Sequence, residues 1–219
     1  MEYDIWYSSA SASGLKFIND FELYNRRLGR LIFNSSILGK NVLMTPHFVL
    51  WTCPSCDSNQ IEEDCFANGQ YCAPPIQGKK NSKNNYLGFA HICYLGKSYN
   101  GRAILNEDLR QKCIYNEVYN NVTDIKWWEY MECFSRECGD LKEDCSKKCM
   151  KEVGINVQRV LDCHKKAIDD AKDQKEKHMF KDEMRAWINA NGAFFPAVII
   201  NNRTYRVLLI HINRINREI

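Results

Sequence analysis

A proline-led apolar run near the end of the chain restricts the possible folds strongly. Pro196 opens the β-branched run 197–200, and an Asn-Asn turn at 201–202 follows it. Proline cannot donate a ladder hydrogen bond, so it belongs at the first residue of a strand or at a bulge. The run therefore predicts a strand that begins at Pro196, followed by a hairpin turn. The bond from Phe195 to Pro196 is a candidate cis peptide, since cis bonds are almost confined to proline in tight turns.

Eleven cysteines lie between residues 53 and 163, and none lies outside that segment. Such clustering indicates a disulfide framework that forms in an oxidising compartment. The odd number leaves one thiol unpaired or paired outside the chain. The disulfide candidates are Cys53, Cys56, Cys65, Cys72, Cys93, Cys113, Cys133, Cys138, Cys145, Cys149 and Cys163. Three Asn-x-Ser/Thr sequons agree with this compartment, and the glycosylation candidates are Asn34, Asn121 and Asn202.

Two alternative roles for the cysteines stay open. One is that of free thiols in a cytosolic protein. The other is that of ligands for structural zinc, which needs two close pairs separated by a loop. Cys53-Pro-Ser-Cys56 supplies one pair, but Cys65 and Cys72 are too widely spaced for a good second pair. We therefore predict disulfides and no metal site.

Composition and charge exclude several classes of function. The formal net charge of +3 is too small to indicate a nucleic-acid partner. No apolar run reaches the roughly 18 residues that span a bilayer, so we expect no membrane insertion by this segment. No phosphate-binding or dinucleotide-binding motif occurs, so we predict no cofactor. Residues 1–5 lack the basic and apolar regions of a signal peptide, and a disulfide-rich chain without one is expected to be a piece of a longer protein.

The pattern of apolar residues predicts a strand, a helix and a second strand in the first quarter of the chain. Residues 2–7 alternate at first and predict a strand, and residues 15–28 show the apolar stripe of a helix. Residues 41–53 predict the second strand, which is expected at 48–52. A segment of small residues, Ser8-Ser9-Ala10-Ser11-Ala12-Ser13-Gly14, lies between the first strand and the helix.

The cysteine-rich segment that follows has an irregular pattern up to about residue 101 and a helical one beyond it. Asn106, followed by two acidic residues, predicts the start of a helix that runs to about residue 120. Further helices are expected at 127–138 and 141–153, and Asn156 is the expected N-cap of a fourth. A last helix ends near residue 191, ahead of the hairpin.

This order resembles a thioredoxin fold with a helical domain inserted after the second strand. The expected fold class is α/β (α+β), with a thioredoxin-like sheet and a large cysteine-rich helical insertion. The expected division is a thioredoxin-like core at 1–52 and 166–219 and a disulfide-rich, mainly helical insertion at 53–165. Parallel strands joined by helical crossovers are covered on both faces, which the apolar strands fit.

In a thioredoxin fold, the catalytic Cys-x-x-Cys follows the first strand and faces a cis-proline. Here that position holds Ser8-Ser9-Ala10-Ser11. A serine hydroxyl cannot replace a thiolate in disulfide exchange. The sequence therefore predicts a binding domain with no catalytic residues at this position.

The tract Trp51-Thr52-Cys53-Pro54-Ser55-Cys56 offers a second possible redox centre. It resembles the active site of an ordinary thioredoxin if a long helix begins at Cys53, but the residues that follow are polar and acidic, and acidic neighbours raise a thiol pKa. Two observations would decide whether Cys53 and Cys56 form a redox pair. A redox pair is absent if Cys53 and Cys56 are each bonded to other cysteines, and present if Cys53 faces Pro196 at the start of a long helix.

Five stretches, in the same order, resemble vacuolar sorting receptors. They are Thr-Pro-His-Phe-Val-Leu-Trp-Thr-Cys-Pro at 45–54, Asn-Gly-Gln-Tyr-Cys-Ala-Pro at 68–74, Glu-Asp-Leu-Arg-Gln-Lys-Cys at 107–113, Trp-Trp-Glu-Tyr at 127–130 and Phe-Pro-Ala-Val-Ile-Ile-Asn-Asn-Arg-Thr-Tyr-Arg at 195–206. Three features depart from the family. Serines replace the cysteine pair after the first strand, Cys56 has no clear counterpart, and residues 207–219 match poorly.

The resemblance implies a central thioredoxin-like domain, in the lumen of the secretory and endomembrane system, of a membrane-anchored receptor. The partners it implies are protein cargo or neighbouring receptor domains. The resemblance therefore favours a non-catalytic domain involved in cargo binding and sorting. The alternative is a thiol–disulfide oxidoreductase that uses Cys53 and Cys56.

Overall fold

The computed structural model describes residues 2–21, 43–73, 98–118, 126–190, 196–201 and 203–206. Cys93, Asn34, Asn121, Asn202, Phe195 and the tail 207–219 lie outside the described residues. The described strands are β1 (Glu2–Tyr7), β2 (Leu43–Phe48), β3 (Cys65–Phe66), β4 (Tyr71–Cys72), β5 (Ala197–Ile200) and β6 (Arg203–Arg206). The described helices are α1 (12–21), α2 (Ser58–Asp64), α3 (Gly101–Val118), α4 (Lys126–Glu137), α5 (Glu143–Glu152), α6 (Val157–Lys172) and α7 (Met179–Asn189).

Four strands form one mixed sheet in the order β2-β1-β5-β6. β1 and β2 are parallel, whereas β5 pairs antiparallel with both β1 and β6. A helix connects β1 to its parallel neighbour, and a tight turn connects β5 to β6, as the connection rules require. The predicted fold class, an α/β thioredoxin-like sheet with a cysteine-rich helical part, is confirmed.

The two faces of the sheet are covered by different helices. Tyr3, Ile5 and Tyr7 alternate along β1 and join one buried cluster with residues of α1 and α4. Trp6 points to the opposite face, where its ring lies 5.3 Å from that of Trp187 on α7. The period of two along β1 therefore fixes which helix packs on which face.

The second strand begins and ends earlier than predicted. β2 covers Leu43–Phe48, not 48–52. Val49 and Leu50 stay buried after the chain leaves the sheet. The apolar run therefore reflects the burial of these side chains and does not indicate a strand. Trp51 instead pairs with Cys72, beside the small β3–β4 hairpin. Pro46 is tolerated within β2 because β2 is an edge strand.

Helix α3 begins five residues before the predicted Asn106. Its first residue is Gly101, and the side chain of Asn100 accepts a hydrogen bond from the amide of Ala103 at 2.8 Å. The predicted start is wrong because Asn106, Glu107 and Asp108 resemble a cap followed by a solvated acidic first turn. Both carboxylates are in fact buried in the middle of the helix.

The other helices agree more closely with the pattern. α4 and α5 match their predicted spans within about two residues at each end, and Asn156 caps α6 through a hydrogen bond from the amide of Arg159. α6 runs across the predicted boundary between residues 165 and 166. The division into a core and an insertion stays a prediction.

Gly101 is a position where the backbone packs too closely for any side chain. A Cβ atom added there would lie 2.0 Å from the carbonyl oxygen of Ala73 and 2.8 Å from that of Asp64. We expect Gly101→Ala to lower the free energy of unfolding by about 3 kcal/mol, because backbone must move to admit the methyl group. Urea denaturation measures the loss.

Gly154→Ala is the matched control for this substitution. Gly154 has a φ of 70°, but nothing lies within 4 Å of an added Cβ. Alanine is disfavoured there only by the left-handed backbone conformation, and we expect Gly154→Ala to lower the free energy of unfolding by roughly 1 kcal/mol. Equal losses in the two variants would contradict the close approach at Gly101.

Candidate functional site

The candidate site lies at the carboxyl end of β1, where a thioredoxin fold places its catalytic pair. Trp6 pairs with Ala197, and extending this register by one residue brings Tyr7 opposite Pro196. Ser8, Ser9, Ala10 and Ser11 follow directly, and we call these residues the serine tract. Pro196 is buried, and the peptide bond before it involves Phe195, outside the described residues. The cis form of that bond stays a prediction.

The serine tract forms the turn into α1. The amide of Ser11 donates to the carbonyl oxygen of Ser8 at 2.9 Å, which closes the turn. The hydroxyl of Ser11 accepts from the amide of Gly14 at 2.9 Å and so acts as the N-cap of α1. The small residues that the sequence offers here are thus used for a tight turn and a helix cap.

Helix α3 packs against the serine tract at Ser9. The amide of Ser9 donates to Asp108 Oδ1 at 2.6 Å, and Ser9 Oγ donates to the carbonyl oxygen of Ile104 at 3.4 Å. Ile104 and Asp108 are four residues apart and therefore lie on one face of α3. Ser9 is 1% exposed and Ser11 is fully buried. All four residues of the serine tract are buried.

Asp108 is an unusual acid because it lies in the core with one oxygen unused. Its Oδ2 has no hydrogen-bond partner among the described residues, although the residue is only 1% exposed. Burial raises the pKa of Asp108 to about 7, and the hydrogen bonds from Ser9 oppose that rise. A protonated carboxyl is the less costly form in such an environment.

Glu107 is the centre of a second buried network, on the neighbouring face of α3. Its Oε1 accepts from the hydroxyl of Tyr130 at 2.9 Å and from Gln111 Nε2 at 3.1 Å. Its Oε2 forms an ion pair with Arg110. Tyr130 in turn bonds to Ser146 of α5, so the network joins α3, α4 and α5.

Burial raises the pKa of Glu107 to about 7. The charge of Arg110 and the hydrogen bonds from Tyr130 and Gln111 act in the opposite direction, but they only reduce the effect of burial. Gln111 also accepts from the hydroxyl of Tyr7 at 2.8 Å. The network thereby connects the helices α3, α4 and α5 to β1.

Three charged groups meet at the end of β2. Glu183 of α7 contacts His47 Nδ1 at 2.9 Å and Lys112 Nζ at 2.8 Å. Burial alone would raise the pKa of Glu183, but the charge of Lys112 and the hydrogen bond from His47 outweigh it and lower the value. Lys112 also donates to the carbonyl oxygen of Pro46 at 2.7 Å, so this group anchors α3 and α7 to the edge strand.

Ten cysteines lie in the described part of the chain, and they pair in five disulfides. The pairs are Cys53–Cys56, Cys65–Cys72, Cys113–Cys163, Cys133–Cys149 and Cys138–Cys145. Each of these sulfurs is bonded to another sulfur, which leaves none of them as a thiolate ligand for zinc. Within the described ranges, no three His, Cys, Asp or Glu side chains are grouped to hold a metal ion.

Cys53 and Cys56 are bonded to each other and not to other cysteines. In the sheet, β1 lies between β2 and β5, and Cys53 follows the end of β2 by five residues. The nearest helix, α2, has seven residues and begins after Cys56. Asp57 caps it by accepting from the amide of Gln60 at 2.9 Å. The pair is therefore a partly exposed disulfide in the turn that precedes a short helix.

The sequence interpretation missed the buried acids of α3. The local pattern places Glu107, Asp108 and Arg110 in an exposed first turn, because charged side chains are seldom buried. One signal was available, because the apolar residues of α3 lie on several sides of the helix and not on one stripe. A helix with this pattern is surrounded by protein. The residues are Ile104, Leu105, Leu109 and Ile114. The buried partners on other elements are too distant along the chain for local sequence to indicate them.

The matching family model is the vacuolar sorting receptor thioredoxin-like domain, and it covers residues 1–214. The chain belongs to this family. The matched range includes the serine tract, α3 and the hairpin that begins after Pro196. None of the helices in the described ranges has the length and hydropathy needed to cross a bilayer.

Curated relatives include Vacuolar-sorting receptor 6 of Arabidopsis thaliana, which is 27% identical over 94% of this chain. Vacuolar-sorting receptor 1 of Pisum sativum is 26% identical over the same share. The chain spans 31% of the length of each of these relatives. The similarity thus extends over nearly the whole chain but over about a third of each relative.

Proposed function

We propose that this chain is a non-catalytic, lumenal domain that takes part in the binding and sorting of protein cargo by a receptor. The single observation that carries the proposal is the covered serine tract. The end of β1 holds Ser9 and Ser11, both buried, where a thioredoxin needs an exposed thiolate. Membership of the receptor family supplies the context, and five disulfides fit an oxidising lumen.

The structure of α3 supports a scaffolding role for this position. Asp108 and Ile104 occupy the space beside Ser9 that a substrate would need. The same helix contacts β1, the edge strand and α4 through Tyr7, Pro46 and Trp127. We infer that the fold is used here to hold the stapled helices rigidly, so that their surfaces can contact cargo or neighbouring receptor domains.

A second candidate function is thiol–disulfide oxidoreduction at Cys53 and Cys56. One observation favours it, namely the direct bond between the two sulfurs. Against it, α2 has seven residues and is too short to supply a strong helix dipole to this turn. The helix beside the pair is therefore unlike the long helix that begins at the catalytic thiols of a thioredoxin.

Insulin reduction separates the two candidates. With glutathione as reductant, we expect the wild-type chain to give no turnover above the glutathione background. Cys53→Ser serves as the control, and the two proteins should be indistinguishable. Turnover by the wild type that disappears in Cys53→Ser would reject the non-catalytic domain and establish the oxidoreductase.

A chimera tests the receptor role directly. The matching region of Arabidopsis Vacuolar-sorting receptor 6 is replaced with this chain, and delivery of a vacuolar reporter is measured against secretion. We expect the chimera to deliver the reporter. A chimera that carries Gly101→Ala, and so has a less stable domain, should deliver less. Secretion equal to that of a receptor lacking the domain would contradict the proposal.

A further inference from the structure

We propose that the Cys53–Cys56 disulfide is a thiol–disulfide exchange site that accepts electrons from uncharged or cationic thiols. The other four described disulfides hold the fold and do not exchange under the same conditions. This activity goes beyond the receptor role and does not depend on it. It is also distinct from insulin turnover, because it requires one exchange per chain and no substrate groove.

Exposure distinguishes this disulfide from the other four that the described residues contain. Cys53 and Cys56 are both partly exposed, and they stand among exposed residues at 52, 54, 55 and 57. Each of the remaining pairs includes at least one buried cysteine; Cys65 and Cys72, for example, are 0% and 1% exposed. Attack by a thiolate needs access to sulfur, so exposed disulfides are the labile ones.

The fold does not need this bond to keep its shape. Its two cysteines are three residues apart, whereas Cys113 and Cys163 are separated by 50, and short loops gain the least entropic stabilisation. The turn is also held at both ends by other bonds. The amide of Cys53 donates to the carbonyl oxygen of Gly69 at 2.9 Å, and Asp57 with Gln60 forms a reciprocal capping box.

These anchors keep the two sulfurs together after reduction. With both ends of the turn fixed, the Cα atoms of Cys53 and Cys56 remain near their present separation of 5.4 Å. That distance suits a disulfide, so the reduced pair can close again without rearrangement of the backbone. The site can therefore be reduced and reoxidised while the domain stays folded.

The exchange proceeds in two steps. A thiolate attacks one sulfur of the pair, the Cys53–Cys56 bond breaks, and a mixed disulfide forms. The other cysteine leaves as a thiolate and takes a proton from water. A second thiolate then attacks the mixed disulfide and releases the oxidised thiol as its disulfide. Two thiols lose two electrons in total, and the protein pair gains them.

The carboxylates near the Cys53–Cys56 turn favour some attacking thiols over others. Residues 51–64 contain four carboxylates and no Lys or Arg, and the carboxylates are Asp57, Glu62, Glu63 and Asp64. α2 follows the turn directly, and a Cβ atom added at Gly69 would lie 3.4 Å from the carbonyl oxygen of Cys53 and 3.5 Å from the side chain of Ile61. Arg102 adds one positive charge beside α2, where it donates to the carbonyl oxygen of Ile61. Among the described residues named here the negative charges outnumber the positive one, and this excess repels an anionic thiol such as glutathione and attracts a cationic one.

Site-resolved alkylation of the oxidised full chain tests the exchange. The chain is incubated with rising ratios of cysteamine to cystamine, quenched in acid, alkylated and analysed by peptide mass spectrometry. We expect label on Cys53 and Cys56 while near-ultraviolet circular dichroism stays unchanged. Cys65 and Cys72 are the internal control and should stay unlabelled. Labelling of that control at the same ratio, or labelling of Cys53 only when the folded spectrum is lost, overturns the proposal.

Charge selectivity is measured with matched probes. At equal thiolate concentration, cysteamine should reduce the pair roughly threefold or more faster than glutathione. Asp57→Asn keeps a good helix cap and removes a charge, so the ratio should fall, as it should in about 0.5 M salt. A capped peptide of residues 51–56 gives the ratio without α2. If the ratio of the cysteamine rate to the glutathione rate is the same in the chain and the peptide, the proposed charge selectivity is wrong. If Cys53→Ser/Cys56→Ser still exchanges rapidly, the reaction belongs to another disulfide and the proposed site is wrong.

Discussion

Removal of the Cys113–Cys163 disulfide is expected to lower the free energy of unfolding by about 4 kcal/mol. This bond joins α3 to α6 and closes a loop of 50 residues. A cross-link over such a loop strongly restricts the unfolded chain, and its loss restores that freedom. Cys113 is 1% exposed, so truncation to alanine also leaves a small void in the core.

Urea denaturation of Cys113→Ala/Cys163→Ala measures this loss. The matched control is Cys53→Ala/Cys56→Ala, which opens a loop of three residues and should cost about 2 kcal/mol or less. The dependence of unfolding free energy on urea should become steeper when the long loop opens, because the unfolded chain expands. Equal losses in the two double variants would show that loop length does not govern stability here.

The sequence predicted the structure well where an element depends only on neighbouring residues. β1 was predicted at 2–7 and found at Glu2–Tyr7, because the alternation of polar and apolar residues at its start is visible within a few neighbouring residues. The helix cap at Asn156 was predicted from its side chain alone, since a cap acts on amides only two or three residues away. These features need no distant partner.

The sequence was misleading where distant contacts decide. Val49 and Leu50 suggested a strand, but they are buried after the chain leaves the sheet, and Trp51 pairs with Cys72. Asn106 looked like a cap, yet α3 begins at Gly101, where the backbone at 64 and 73 approaches so closely that only glycine fits. Neither contact could be foreseen from a window of neighbouring residues.

The candidate site shows the same division. The absence of cysteine after β1 was plain from the sequence, and the register beside Pro196 followed from the proline-led strand. The covering of Ser9 by Asp108 joins residues 99 positions apart and was not predicted. The sequence therefore indicated that the thiols are missing, and the structure adds that α3 fills their surroundings.

Buried acids make α3 sensitive to single substitutions. Glu107→Ala should lower the free energy of unfolding by about 3 to 5 kcal/mol at about pH 8. The substitution leaves the guanidinium of Arg110, which is 3% exposed, without its buried partner. It also removes the acceptor for the hydroxyl of Tyr130. Urea denaturation reports the loss, and Glu117→Ala, on the exposed side of the same helix, is the control.

Glu107→Gln isolates the effect of charge from that of packing. The pKa of Glu107 is raised by burial from 4.5 to about 7, so between these values the folded protein holds a proton that the unfolded chain has lost. This contribution to stability is fully present below pH 4.5 and is lost as pH rises through about 7. A tenfold change in an acid dissociation constant corresponds to about 1.4 kcal/mol, so the whole contribution is about 3 kcal/mol.

Glutamine cannot ionise, so the variant lacks this dependence. We therefore expect Glu107→Gln to gain stability relative to the wild type as pH rises from about 5 to about 8, by about 3 kcal/mol. Groups that both proteins share, such as His47 and Glu183, cancel in the difference. Asp108, whose pKa burial also raises to about 7, contributes in the same direction, so Glu107→Gln/Asp108→Asn should flatten the profile further. A difference between wild type and Glu107→Gln that does not change with pH would mean that Glu107 stays ionised beside Arg110, and that the ion pair outweighs burial in this core.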